Sequence, residues 1–457
     1  MLYFFISRSG IMVSDTIAAF STPRGKGGFA IIRLSGESPL SVAEKMFFPS
    51  GKRAVSDFEP QRMYPGEIDG GTFRDYGLCV YFKAPHSFTG EDVVEFHCHG
   101  GTSIARGILR RALSLGCRLA ERGEFTRRAF LNGKLSLSSA EGLIDMINGE
   151  SEAEVRAGYM LYSERLNGGV SELQAQLTEI LAGIDADIDF PEEDIEHTDL
   201  KDVKERISEM AERLGKMVST YKTGRKIKEG VSVVLAGKPN TGKSSILNAL
   251  LGSDKAIVSS VAGTTRDVVE GTLEIDGVRF NLYDTAGIRE SGDEIESIGI
   301  SRAKALIDGA DLVLFILDAS EKLSEEDRKI YDSLAEKKKL VVYNKTDLGE
   351  GVCDPPADIR ISAKTGENIE ELRKEMFGRC MQDYTADGEF LIEERHYAAL
   401  CRALSDIREA LSVCGKVPLD LLGVHLKSAW ETLGEISGET ANERIIDEIF
   451  AKFCVGK

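Results

Sequence analysis

The stretch that most constrains this chain is VVLAGKPNTGKSS, residues 233–245. A β-branched apolar run ends in Gly237, and residues 237–244 match G-x-x-x-x-G-K-[ST] at every fixed position. Glycines let the backbone curl around a phosphate with its N–H groups turned inward, and the positive end of a helix stands behind them. Lys243 would reach the outer phosphates, and the Ser244 hydroxyl would ligate Mg²⁺. A Gly-rich turn between strand and helix shares part of this pattern. The surroundings favour the phosphate reading: a strand-like run precedes the loop, and the helix-like SILNALL of residues 245–251 follows it.

Three later stretches turn a phosphate site into a guanine-nucleotide site. Asn344-Lys345-Thr346-Asp347 follows the apolar run 340–343 and reads as N-K-x-D at a strand end. The Asp347 carboxylate accepts from guanine N1–H and the 2-amino group, a donor pair that adenine lacks. Ser362-Ala363-Lys364 follows another short apolar strand and reads as the loop that holds the guanine oxygen. Asp284-Thr285-Ala286-Gly287 ends a strand over 278–283 and reads as D-x-x-G. There Asp284 supports Mg²⁺ through water, and the Gly287 N–H meets the γ-phosphate. Between the phosphate loop and that strand lies Ala262-Gly263-Thr264-Thr265, whose Thr265 would join Ser244 on Mg²⁺. A hairpin over 268–283 follows, with Asp276-Gly277 as its tight turn. Each stretch alone is commonly a loop; their order, each after a strand, carries the assignment. One position departs from the Ras-like pattern. The residue after Gly287 is Ile288, where such enzymes carry a water-orienting glutamine. Another polar group must position water, and residues 289–296 are rich in carboxylates.

The whole chain bounds what surrounds this segment. Its 457 residues suffice for several domains. A formal charge of −18 excludes a surface built for non-specific nucleic-acid binding, so RNA contact needs a local patch or a partner. Eight cysteines without a C-x-x-C pair argue against a zinc ribbon or a disulfide scaffold, and fit a reducing cytoplasm. No apolar run reaches membrane-spanning length, and residues 1–6 are too short for a signal peptide. Met12 reads as the natural start, with the residues before it an extension.

The flanks read as follows. Residues 15–34 form a strand, a Pro/Gly turn and a second strand; the turn RGKGG resembles a phosphate loop but lacks G-K-[ST], and reads as a hairpin. In DVVEFHCHGG, residues 92–101, strand alternation puts Glu95, His97 and His99 on one face and Val94, Phe96 and Cys98 on the other. Two histidines without a third close ligand suit a polar or solvated face better than a metal site. Helical pattern runs from about residue 136 to 224, with Leu173, Leu177, Ile180 and Ile184 at helix spacing. The basic cluster of residues 221–228 reads as a solvated linker. After a last α/β helix over 368–377 the helical pattern resumes, with Leu400, Leu404, Ile407 and Leu411 on one face. Neither flank buries its stripe alone, so the economical solution is one helical domain interrupted by the GTPase. The terminal FCVGK reads, on spacing alone, as a frayed tail.

Together these pieces resemble one family, the MnmE (TrmE) tRNA modification GTPases. The resemblance covers the chain from about Val13 and rests on TPRGKGGFAIIR, FTGEDVVEFHCHGG, GEFTRRAFLNGKL, DIDFPEED, the GTPase set and the terminal FCVGK. The family usually ends in C-I-G-K; Val455 is a departure. The resemblance implies a multidomain α/β protein: residues 1–131 an α+β dimerisation and folate-binding domain, 132–228 and 383–457 the two parts of an all-α domain, and 229–382 the inserted Ras-like P-loop domain. It implies 5-formyltetrahydrofolate or a related folate at Arg33, Glu95, Lys134 and Lys457, and a family cysteine at Cys454. Its GTP shell spans Asn240, Thr241, Gly242, Lys243, Ser244 and Ser245, then Ser259, Ser260, Val261, Ala262, Gly263, Thr264 and Thr265, and the three later stretches. K⁺ would stand where an arginine finger otherwise acts, ligated by Asn240, Ser259, Val261 and Thr264, and Glu296 would orient the attacking water. The resemblance implies catalytic roles for Lys243, Thr265, Asn240 and Glu296, and for Cys454. The implied partners are a second copy of the chain, the flavoprotein MnmG and tRNA, with GTP hydrolysis driving G-domain movement for modification of the wobble uridine. The rival assignments are a GTP switch that controls a ribosome or RNA partner, for which no compact basic module is present, and a folate enzyme regulated by the GTPase.

Overall fold

The computed structural model describes residues 15–23, 25–190, 199–252, 271–284, 304–349 and 354–457. Met12 therefore lies outside the described residues. Two compact units divide the chain: residues 1–144, 161–172 and 433–457 form one, and residues 145–160 and 173–432 form the other.

The first unit is built on a seven-stranded sheet. Its strands are β1 (Ile17–Phe20), β2 (Phe29–Gly36), β3 (Phe47–Pro49), β4 (Met63–Asp69), β5 (Arg74–Phe82), β6 (Asp92–His99) and β7 (Arg118–Leu119), in the order β3-β4-β5-β6-β2-β1-β7. Helices α1 (Pro39–Met46) and α2 (Thr102–Ser114) belong to the same core. The alternation expected in β6 is present. Val94, Phe96 and Cys98 are buried in that core, while Glu95 and His97 are half-buried and His99 is exposed. Among the described residues no group of three or more His, Cys, Asp or Glu could hold a metal ion. After α3 (Glu124–Leu131), the start of α4 (Leu137–Asn148) packs Leu137, Ala140 and Ile144 against Ile446, Ile449, Phe450 and Phe453 of the chain's last turns.

In the second unit, most of α5 (Glu152–Tyr162), the later part of α6 (Arg165–Asp189), α7 (Leu200–Ser219) and α8 (Tyr221–Glu229) lead into a six-stranded sheet. Its elements are β8 (Val231–Ala236), α9 (Lys243–Leu251), β9 (Gly271–Ile275), β10 (Val278–Asp284), β11 (Leu312–Asp318), β12 (Lys339–Asn344) and β13 (Ile359–Arg360). The strand order is β13-β12-β11-β8-β10-β9, parallel except for the β9–β10 pair. Every residue of β11 is buried, as expected of a strand in a parallel sheet covered on both faces. Asp276 and Gly277 turn β9 into β10 with φ of 47° and 80°, the two positive values a type I′ hairpin needs.

Leu173, Leu177, Ile180 and Ile184 are all buried, as their spacing predicts. Their helix meets the later helix Leu419–Ser437, where Gln174 Nε2 donates to Trp430 O (3.2 Å) and Trp430 Nε1 donates to Thr178 Oγ1 (3.0 Å). Helix Glu394–Val413 buries Leu400, Leu404 and Ile407, and its Tyr397 stacks on Tyr221 at 4.1 Å. The segment read as a solvated linker is instead α8. Ile227 is buried, Lys226 Nζ donates to Cys380 O (2.8 Å), and Lys228 pairs with Asp145 (2.9 Å) and with Glu393. Lys226 and Lys228 leave solvent because carbonyls and carboxylates far away in sequence meet them, whereas Lys222 and Arg225 stay exposed as that reading expects.

Candidate nucleotide-binding site

Between β8 and α9 lies the glycine-bearing loop that the motif marks. Gly237 has φ of 150°, and a Cβ there would stand 2.4 Å from Ile316 O. Gly242 has φ of 92°, and its Cβ would stand 2.2 Å from Asn344 Nδ2. Both positions therefore require glycine. Helix α9 begins at Lys243 with no side chain capping its first turn, so the N-terminal N–H groups remain available to an anion. Lys243 is buried, and its ammonium donates to Gly237 O and Lys238 O, each at 2.9 Å. It thus lies folded against the loop's own carbonyls, ready to exchange them for phosphate oxygens. Ser244 and Ser245 are exposed on the first turn. Ser244 Oγ donates to Asp284 Oδ2 at 3.1 Å, which brings the last residue of β10 beside the start of α9. A hydroxyl and a carboxylate so placed are oxygen donors suited to Mg²⁺ and one of its waters.

The guanine side is assembled from the ends of β12 and β13. Asn344 is buried; its Nδ2 donates to Thr241 O (2.9 Å) and its Oδ1 accepts from Ala363 N (3.0 Å). One amide therefore ties the phosphate loop to the S-A-K loop. Lys345 has φ of 67°, and its ammonium donates to Asn240 O (2.7 Å) and to Asp318 Oδ2 (2.7 Å). Asp347 is exposed, its Oδ1 accepting from Ser362 Oγ (2.7 Å) and its Oδ2 lying 3.9 Å from Lys364 Nζ. Thr346 Oγ1 donates to Glu367 Oε2 (3.2 Å). Hydrogen bonds thus link Asn240, Thr241, Lys243, Ser244, Asp284, Asn344, Lys345 and Ala363 in and around the loop, with Gly242 between them, and Asp347 meets Ser362 and Lys364. Ser259, Ser260, Val261, Ala262, Gly263, Thr264, Thr265, Thr285, Ala286, Gly287, Ile288 and Glu296 lie outside the described residues. Sequence reasoning missed Asp318. The available signal was a carboxylate ending a wholly apolar central strand, in register with Asn344 on the next.

A second cluster forms on the first unit. Arg33 Nε donates to Glu95 Oε1 (2.7 Å), and His97 Nε2 lies 3.1 Å from Glu95 Oε2. Burial opposes the Glu95 charge, but the His97 hydrogen bond and the Arg33 guanidinium hold its carboxyl below the usual range. The same guanidinium lies over the rings of Phe88 (5.7 Å) and Phe125 (5.8 Å). Lys134 is exposed and donates to Pro85 O at 3.0 Å.

The terminal tail is docked and not frayed. Phe453 is buried, Val455 bridges to Arg122 in antiparallel fashion, and Gly123 N donates to Cys454 O (3.4 Å). Phe88 and Val455 both pack on the small core of Ile17, Ala19, Ala120 and Phe125. Val455 therefore packs on the core that holds Phe125, over whose ring the Arg33 guanidinium lies; Cys454, one residue before, is exposed, and Lys457 is half-buried.

A parallel sheet with a phosphate loop at one strand end and N-K-x-D at another defines a guanine-nucleotide-binding P-loop protein. The comparisons narrow the class. A family described as the MnmE helical domain matches residues 137–454, and one described as GTP-binding protein TrmE N-terminus matches residues 16–134. The tRNA modification GTPase MnmE of Clostridioides difficile (strain 630) is 39% identical over 459 residues, covering 98% of this chain and 100% of that protein. The protein of the same name from Acetivibrio thermocellus is 39% identical over 97% of this chain and 99% of its own length. A crystal structure of Aquifex aeolicus Era is 29% identical over 41% of this chain and 69% of that one, with a TM-score of 0.27. The chain belongs to the MnmE family of tRNA modification GTPases, and it is a GTP hydrolase. Among the described residues no helix is long and apolar enough to cross a membrane.

Proposed function

We propose that this GTPase acts on tRNA, working with the flavoprotein MnmG to place an aminomethyl or carboxymethylaminomethyl group on carbon 5 of the wobble uridine. The observation that carries this reading is the docked tail. It packs Val455 on the same small core as Phe125, over whose ring the Arg33 guanidinium lies, in a chain whose relatives bear the name tRNA modification GTPase, and this supports a role for the neighbouring Cys454 and Lys457 there.

At the nucleotide site, Asp347 reads the guanine edge, with Thr346 beside it and Ser362, Ala363 and Lys364 closing over the base. Lys243 exchanges its two carbonyl partners for phosphate oxygens, assisted by the N–H groups of residues 240–245. Ser244 and Thr265 would hold Mg²⁺, backed by Asp284, and Thr285, Ala286 and Gly287 would face the γ-phosphate. Asn240, Ser259, Val261 and Thr264 would ligate K⁺, which offsets the charge developing on the transferred phosphoryl group. Glu296 orients the attacking water where Ile288 leaves no side chain to do so.

At the second cluster, a carboxylate–guanidinium pair beside two phenyl rings suits a flat heterocycle with donor and acceptor edges, and Lys134 and Lys457 offer cations to a carboxylate tail. That donor set fits a formylated tetrahydrofolate, whose one-carbon unit the modification would use. Homodimerisation through the folate domain, residues 1–131, would leave the inserted domain, residues 229–382, to pair across GTP. Its pairing would act on the helical segments 132–228 and 383–457.

The test is nucleoside analysis of tRNA from cells lacking this protein. Loss of the carbon-5 substituent on wobble uridines, restored by the intact chain, is expected. Unaltered uridines would overturn the reading in favour of a GTP switch without tRNA chemistry.

A further inference from the structure

We infer that Asp318 is a positioning residue for the phosphate loop, acting through Lys345 to fix the backbone at Asn240 and so to tune the cation-dependent step of GTP hydrolysis. The inference rests on the proposed role of Asn240 as a K⁺ ligand.

Asp318 ends β11, and its side chain is almost wholly buried. Both of its oxygens are committed. Oδ1 accepts from Ser320 N (2.9 Å) and Ser320 Oγ (2.6 Å), and Oδ2 accepts from Lys345 Nζ (2.7 Å). Burial works against the charge, yet the bonds from Lys345 and Ser320 hold the carboxyl below its ordinary range, so it stays ionised. The carboxylate is thus a fixed anchor, and Lys345 is what it fixes.

The same ammonium donates to Asn240 O at 2.7 Å. The next carbonyl along the loop, Thr241 O, accepts from Asn344 Nδ2 at 2.9 Å. Consecutive residues of N-K-x-D therefore hold consecutive carbonyls of the phosphate loop. The hold matters because Asn240 has φ of 65°, a left-handed conformation that asparagine visits as one of several, so the tethers on the loop select it. Remove the Asp318 charge and Lys345 loses the carboxylate that pairs with it at 2.7 Å among the described residues. Its ammonium can then leave Asn240 O for water, and the Asn240 side chain loses the backbone angle that aims it. The guanine contacts of Asp347 do not pass through Asp318, so base selection should survive.

The experiment uses the full chain with Asp318→Asn, and Ser320→Ala as a milder second variant that removes one of the three bonds orienting the carboxylate. GTP turnover is titrated with KCl at constant ionic strength, and GDP affinity and Tm are measured alongside. For Asp318→Asn the K⁺ concentration at half-maximal rate should rise roughly tenfold, the cost of weakening a charge-assisted hydrogen bond. Turnover at saturating K⁺ should recover most of the wild-type value, and the preference for guanine over adenine nucleotides should hold. Ser320→Ala should move half-saturation in the same direction by less. A wild-type protein stimulated by K⁺, with both variants showing an unchanged half-saturation, overturns this inference alone. A wild-type protein equally active in Na⁺ and K⁺ removes the cation role of Asn240, and this inference falls with it.

Discussion

Substituting Gly456 by alanine tests whether the docked tail is a working part of the second cluster. Gly456 has φ of 102°, and a Cβ there would lie 1.8 Å from Phe20 O and 2.8 Å from Phe20 C. Phe20 ends β1 and is registered with Ile32 of β2, so its carbonyl cannot retreat without opening the sheet. The tail must move instead, by more than an ångström. The positive φ alone costs an alanine about 1–2 kcal/mol. Retreat also loses the Val455–Arg122 bridge, worth about 1 kcal/mol. A total of about 2–3 kcal/mol corresponds to a fall in docked population of roughly 30- to 150-fold. Phe453 stays buried with Phe130 and Phe450, which keeps the last helix in place. Hydrogen exchange followed by mass spectrometry should therefore show lost protection confined to the C-terminal peptide, with Tm nearly unchanged. Folate affinity should fall by a similar factor, and GTP turnover should not change. Wild-type protection at residues 455–457 would refute the steric argument. A released tail with unaltered folate affinity would refute the assignment of Lys457 to that site.

Other perturbations test separate parts of the argument. Asp347→Asn should move preference from guanine towards xanthine nucleotides, read by competition against labelled GDP; equal competition by ATP and GTP in the wild type would sink the guanine assignment. Asn240→Ala should keep nucleotide affinity while losing K⁺ stimulation, and Glu296→Ala should still pair with a transition-state analogue but turn over slowly; a fully active Glu296→Ala would remove that residue from catalysis. Burial, and then the neighbouring Glu393 carboxylate, push Asp145 up to about 8 even though Lys228 sits beside both. The folded chain thus holds a proton that the unfolded chain releases near its ordinary range of about 4, so stability should fall as pH rises between about 4 and 8. Lys228 is itself raised and titrates above this window. Urea midpoints should drop from pH 6 to pH 8.5, and Glu393→Gln should flatten the decline; a slope unaffected by the substitution would show that the carboxylate pair is not its source.

What the sequence made legible is what local pattern controls. The phosphate loop could be read because a strand run, two glycines and a helix are consecutive, and the period-2 pattern of β6 and the helical spacing of Leu173 to Ile184 are equally local. What it hid depends on partners distant in the chain. Lys228 reads as a solvated cation until Glu393, 165 positions away, and Asp145 are brought to it. Cys454 and Lys457 read as a tail end until Gly456 is seen with a left-handed backbone on Phe20 O. Asp318 reads as an ordinary strand end because the ammonium it anchors belongs to a motif whose familiar role is to contact the base.

The placement of β10 shows how the sheet limits movement within the second unit. At one end, Gly277 O accepts from Ala153 N (2.9 Å), and Arg279 pairs with Glu150 and with Glu154 (3.0 Å). Beside it, Arg279 Nη2 donates to Lys228 O (3.1 Å) and Asn281 Nδ2 donates to Glu229 O (3.0 Å). At the other end, Asp284 faces Ser244. The strand is therefore tied to the helical segment at its start and to the phosphate loop at its finish, and it is paired on both sides by β8 and β9. Sliding it would break the Arg279 pairs and two ladders at once. A change at Asp284 that follows the nucleotide is then carried along the strand as a rigid displacement to residues 150–154. An extended strand of seven residues, about 23 Å long, bridges that distance without a hinge.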